Sequence, residues 1–110
     1  MQNIVIAGYA RSPFTLAKKG ALTRVRPDDL IADVVRALVA RTGINPEDIE
    51  DLILGCAFPE GEQGLNMARL VALQADLPIT VGGATINRFC GSSMHAVLSL
   101  IHISEPTRPY

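Results

Sequence analysis

The chain has 110 residues, 48% hydrophobic and 19% charged, with 10 Lys and Arg against 11 Asp and Glu for a net charge of −1. These values fit one folded domain, or one piece of a larger protein, and exclude both a complete multidomain enzyme and a disordered chain. They also exclude the basic surface expected of a binder of nucleic acid or anionic membrane.

Asn3 to Tyr9 is a short β-branched run ending near Gly8, which predicts a strand buried on both faces. From Asp28 the period changes: Leu30, Val34 and Leu38 beside Ile31, Val35 and Val39 make an apolar stripe at helical spacing. Asp28 can cap this helix after Pro27, and Gly43 followed by Ile44 reads as a left-handed stop. Asn45-Pro46-Glu47-Asp48 offers a cap and one helical turn before a second strand over Ile49 to Gly55. Glu60 to Gly64 is a polar loop. Met67, Leu70, Val71 and Leu73 through Ala75 then predict a second helix, stopped before Pro78.

Thr80 to Ile86 is the third predicted strand, and the small residues after Cys90 permit a tight turn into a third helix. Alternating strand and helix implies an α/β fold with a mostly parallel sheet and crossover helices. From Leu98 to Tyr110 the pattern is expected to break, because Ser99, Ser104, Pro106 and Pro109 do not suit the helix begun by Met94-His95-Ala96-Val97.

No apolar run approaches the roughly 20 residues that cross a bilayer, and no basic region precedes an apolar one at Met1-Gln2-Asn3-Ile4. A cytoplasmic protein without a membrane partner is expected. Cys56 and Cys90 are too far apart for a CxxC pair and have no histidine cluster near them, so neither a metal site nor a disulfide framework is expected. The glycine pairs Gly61 and Gly64, and Gly82 and Gly83, lack the spacing of a phosphate loop.

In open parallel sheets reactive groups gather where strands end and helices begin, and Cys90 falls at such a junction. The bland alternative is a small buried apolar residue, the commoner fate of a lone cysteine. A helix start favours an anion by at most about 2 kcal/mol, so a thiolate nucleophile would also need a base. His95 is a poor candidate, because five residues along a helix turn its side chain roughly 140° from the starting face. Cys56 lacks the Gly-Ser turn and reads as structural, and Glu60 and Glu62 as ordinary loop carboxylates.

Arg11-Ser12-Pro13-Phe14, Gly55-Cys56, Glu62-Gln63-Gly64, Asn66-Met67-Ala68-Arg69 and Asn87-Arg88-Phe89-Cys90-Gly91-Ser92-Ser93-Met94 together resemble, in order and spacing, the amino-terminal part of thiolases. The resemblance covers Met1 to about Val97, with the segment around Cys90 its most specific part. Its wording looks closer to degradative 3-ketoacyl-CoA thiolases of fatty-acid oxidation than to the biosynthetic branch.

The resemblance implies that Cys90 is the nucleophile that takes an acyl group from 3-ketoacyl-CoA and passes it to CoA, with its amide N–H as one oxyanion donor. It implies coenzyme A thioesters as substrates, no bound cofactor, and a homo-oligomeric parent of two similar halves in an αβαβα layering. It also implies that the activating histidine and second cysteine lie in Gly-His-Pro and Cys-x-Gly segments of the carboxy-terminal half, which this sequence does not contain.

Leu98 to Arg108 is similar to a translated transposon-type sequencing adapter. Residues 1–97 are therefore expected to be a partial thiolase amino-terminal domain, and 98–110 a non-native tail in which His102 and Glu105 have no role. The chain itself is expected to be inactive. Two alternatives stand beside this reading. A ketoacyl-synthase-like condensing enzyme would release carbon dioxide from malonyl substrates. A non-catalytic binding module would be a monodisperse, cooperatively unfolding monomer.

Overall fold

The computed structural model describes residues 3–103. In chain order the elements are helix α1 (Pro27–Thr42), a 3-10 turn (Pro46–Asp48), strand β1 (Ile53–Gly55), a second 3-10 turn (Gly61–Gln63), helix α2 (Met67–Gln74), strand β2 (Ala84–Ile86) and helix α3 (Ser92–Ile103). β1 and β2 pair in parallel, with Ile53 opposite Ala84 and Gly55 opposite Ile86. A parallel pair needs a crossover, which α2 supplies. The partial α/β arrangement is the class the sequence implies.

Pro27 occupies the first position of α1, where its missing N–H costs nothing, and Gly43 ends the helix at φ 69° with its N–H donating to Val39 O at 3.1 Å. The cap position belongs to Arg26, not to Asp28 as expected. Asp28 sits one residue inside the helix, and its carboxylate is drawn sideways by Arg26 Nε at 3.1 Å, Asp29 N at 2.9 Å and Gln74 Nε2 at 3.2 Å. This buried carboxylate therefore ties the start of α1 to the end of α2.

The Arg26 side chain is the largest influence on Asp28 and, outweighing burial, holds its carboxyl below the usual carboxylate range. A depressed folded-state value contributes stability above the unfolded value of about 3.9 and loses it as pH falls through the folded value. Asp28→Asn is accordingly expected to lower the thermal midpoint at neutral pH. The gap from the parent chain should close as pH falls below about 4 in parallel melts. A gap that does not change with pH would show that the charge is not what stabilises this joint.

Asn45 accepts from Glu47 N at 3.1 Å and so starts the first 3-10 turn, as its sequence implies. Both strands are shorter than expected. Before β1 the Leu52 N–H is shared between Asp51 Oδ1 at 2.9 Å and Gly82 O at 3.4 Å, with Gly82 N donating to Glu50 O at 3.1 Å, and before β2 Val81 N closes a turn onto Pro78 O at 3.0 Å. The pairing continues beyond the strand ends through Ala84 N to Leu52 O at 3.0 Å and Cys56 N to Ile86 O at 2.9 Å.

The expected strand over Asn3 to Tyr9 is not formed: that segment has no ladder partner among the described residues, and Val5 and Ile6 are 77% and 83% exposed. A β-branched run favours extended backbone, but a strand apolar on both faces needs cover from both sides. Here α1 offers one approach, with Gly8 against Leu38 and Thr42, and Arg41 Nη1 donating to Tyr9 O at 2.6 Å.

The expected break at Leu98 is also absent, because α3 continues to Ile103. Ser99 remains inside the helix by donating its hydroxyl to Ala96 O at 2.7 Å. Ser104, Glu105, Pro106 and Pro109 lie outside the described residues.

The core is built from Ala32 of α1, Met67, Val71 and Ala72 of α2, and Cys56, Ala75, Leu77 and Val81 of the connections, with Ile31, Val35, Val39, Leu52 and Leu54 packed against it. Asn66 and Thr85 join α2 to β2: Asn66 Nδ2 donates to Gly83 O at 2.8 Å, and Thr85 Oγ1 donates to Asn66 Oδ1 at 2.7 Å while accepting from Ala68 N at 3.0 Å. Among the described residues no helix is long and apolar enough to cross a membrane. Nor, among those residues, do three or more His, Cys, Asp or Glu side chains gather as metal ligands.

Candidate functional site

β2 ends at Ile86, α3 begins at Ser92, and the intervening turn is held by its own side chains. Asn87 Oδ1 accepts from Phe89 N at 2.9 Å, and Arg88 O accepts from Gly91 N at 3.0 Å. The buried Ser92 hydroxyl accepts from Arg88 N at 2.8 Å and donates to Phe89 O at 2.6 Å. Phe89 is thereby held at φ 48°, a left-handed conformation uncommon for a residue with a β-carbon. The first α3 hydrogen bond follows, from His95 N to Gly91 O at 2.9 Å.

Cys90 is carried on this turn as an exposed free thiol, whereas Cys56 is buried in the core. Burial as a small apolar residue therefore describes Cys56 and not Cys90. His95 turns to Arg88, whose Nη1 lies 3.2 Å from His95 Nδ1. Among the described residues no side chain is hydrogen-bonded to the Cys90 thiol. Among the described residues, therefore, no base is hydrogen-bonded to the candidate nucleophile.

The turn is pressed against the sheet at Gly55, the last residue of β1. A β-carbon there would stand 2.6 Å from Ser93 Cα and 2.5 Å from Ser92 C, so only glycine lets the start of α3 come this close. Sequence reasoning singled out Cys90 but missed Ser92 and the role of Gly55. The Gly-Ser-Ser run did signal a tight turn, but Ser92 and Ser93 look alike in sequence, and only the structure shows Ser92 buried and Ser93 exposed. Glu62, read as a loop carboxylate, pairs with Arg26 at 3.6 Å.

Comparison with known proteins gives a consistent result. Residues 4–103 match the model of the thiolase N-terminal domain. The chain is 50% identical over 97 residues to a 3-ketoacyl-CoA thiolase of Bacillus subtilis, covering 88% of this chain and 25% of the relative. It is 47% identical to a 3-ketoacyl-CoA thiolase of Saccharophagus degradans, covering 87% of this chain and 25% of the relative.

Among solved structures, an acetyl-CoA acetyltransferase of Bacillus anthracis superposes with a TM-score of 0.83 at 39% identity, covering 91% of this chain and 25% of that one. A thiolase of Ascaris suum in complex with coenzyme A superposes with a TM-score of 0.71 at 27% identity, covering 80% of this chain and 24% of that one. The chain thus spans about a quarter of the length of these relatives. With a family match running almost from end to end, and a parallel-sheet fold that superposes on solved members, the chain belongs to the thiolase family, of whose amino-terminal domain it forms a part.

Proposed function

We propose that the chain is the amino-terminal part of a degradative 3-ketoacyl-CoA thiolase, an acetyl-CoA C-acyltransferase of fatty-acid β-oxidation, with Cys90 as its nucleophile. The parent works in the cytoplasm as a homo-oligomer and takes coenzyme A thioesters as substrates. The carrying observation is an exposed thiol on a side-chain-locked turn between a parallel strand and a helix.

In the first half-reaction the Cys90 thiolate adds to the 3-keto carbon, and the oxygen becomes an alkoxide. As the carbonyl reforms, the bond between carbons 2 and 3 breaks. The departing acetyl-CoA enolate takes a proton, leaving the shortened acyl group on sulfur. In the second half-reaction the thiolate of free CoA attacks that thioester and Cys90 leaves, which regenerates the enzyme. Both additions build charge on oxygen, so donors must already point at it, the amide N–H of Cys90 among them.

The base that ionises Cys90 and the acid that protonates the enolate come from the three quarters of the parent not represented in this chain. The 110-residue chain is therefore inactive, and residues 98–110 are a non-native tail. Resequencing the source DNA across codon 97 tests the tail: a frame that continues into Gly-His-Pro and Cys-x-Gly segments is expected, and one that ends after Tyr110 overturns it.

The functional reading is tested in a hybrid in which residues 1–97 replace the matching segment of the Bacillus subtilis 3-ketoacyl-CoA thiolase. CoA-dependent thiolysis of a 3-ketoacyl-CoA is expected. A folded hybrid without thiolysis overturns the reading.

A further inference from the structure

We propose that Ser92 is a positioning residue for Cys90, holding the turn that presents the thiol through one hydrogen bond from Arg88 and one to Phe89. The inference rests on the reading of Cys90 as nucleophile. Ser92 is 3% exposed, and together with Asp28 it makes up the buried polar and charged residues among those described. Buried polar groups persist where their hydrogen bonds are made, and this one spends both its proton and a lone pair on a single turn.

The two bonds fix the N–H of Arg88 and the carbonyl of Phe89 on either side of the residue at φ 48°. A strained conformation of this kind persists only when its surroundings over-determine it. Asn87 supplies a third bond, to Phe89 N at 2.9 Å. Removal of the Ser92 hydroxyl leaves Asn87 as the side chain that holds the turn, beside the backbone bonds from Gly91 N to Arg88 O at 3.0 Å and from Ser92 N to Phe89 O at 3.2 Å. Phe89 then relaxes toward negative φ, and because Cys90 is the next residue its sulfur is carried away from the position that the rest of the site expects. Ser92 acts on the reaction only through where it puts that sulfur.

The test uses the hybrid thiolase with Ser92→Ala, Asn87→Ala and Cys90→Ala. Displacing a reacting atom by about 1 Å costs on the order of 100-fold, so Ser92→Ala is expected to lower kcat by about that factor with KM within about twofold. Asn87→Ala removes one bond at an exposed residue that does not endanger folding, and a smaller fall in kcat is expected. In the 110-residue chain, backbone NMR couplings that report the sign of φ at Phe89 are expected to change with Ser92→Ala.

A Ser92→Ala hybrid with unchanged kcat beside an inactive Cys90→Ala hybrid overturns the positioning role and leaves the nucleophile standing. If Ser92→Ala does not fold, Asn87→Ala decides, and an unchanged kcat overturns the proposal. A fully active Cys90→Ala hybrid removes the nucleophile, and this inference with it.

Discussion

Cys90→Ala in the hybrid thiolase is expected to lower kcat for thiolysis by at least about 10⁴-fold while the protein still folds. On the proposed mechanism the loss is large because Cys90 holds the acyl group covalently between the two half-reactions, and a methyl group can form no such bond. Donors aimed at the alkoxide still bind substrate but have no tetrahedral intermediate to stabilise. Stability should hardly change, because Cys90 is exposed and outside the core, where substitutions usually fall within about 0.5 kcal/mol.

The check is steady-state thiolysis beside a thermal melt, together with intact-mass detection of an acyl adduct on the parent hybrid quenched during turnover. The adduct should map to Cys90 and be missing from the variant. Turnover within tenfold of the parent, or an adduct on Cys56, would remove Cys90 from the mechanism. Cys56 serves as an internal control, since both cysteines are free and only Cys90 is exposed.

Where the sequence was legible, its signals were local. The stripe that includes Ile31, Val35 and Val39 specified α1, because those side chains return to one face every turn, and in the structure they pack on the core. Gly43 and Asn45 were readable because a left-handed stop and a side-chain cap depend only on neighbours in the chain.

The segment Asn3 to Tyr9 was not readable in this way. Its extended preference is a property of its residues, but a ladder is a property of two strands, and none is formed with it here. The continuation of α3 was misread because serine is a weak helix former on average, yet Ser99 meets its hydrogen-bonding need within the helix. At the candidate site, a cysteine ahead of small residues signalled a strand-to-helix turn. What holds the turn was hidden, because burial and hydrogen bonding in the folded chain separate Ser92 from Ser93, and Gly55 lies 37 positions before Ser92 in the sequence numbering.

Gly55→Ala is expected to lower the thermal midpoint by about 5–15 °C, corresponding to overpacking of about 1–3 kcal/mol. Glycine-to-alanine changes usually gain up to about 1 kcal/mol by restricting the unfolded chain, so a net loss requires a native clash that outweighs this gain. The clash here is with backbone: the new methyl would lie 2.5 Å from Ser92 C and 2.6 Å from Ser93 Cα, and no rotamer can move those atoms aside.

Relief requires the start of α3 to lift from β1, which moves Ser92 and, through it, the Arg88–Phe89 clamp. A fall in kcat of the hybrid should accompany the loss of stability. Gly91→Ala is the contrasting change on the same turn, since its methyl would meet only Arg88 O at 3.6 Å, an ordinary contact. Its thermal midpoint is expected to stay close to that of the parent. If instead Gly55→Ala melts with the parent, the helix start can move freely over the sheet, and the close approach at Gly55 is not what fixes the turn that carries Cys90.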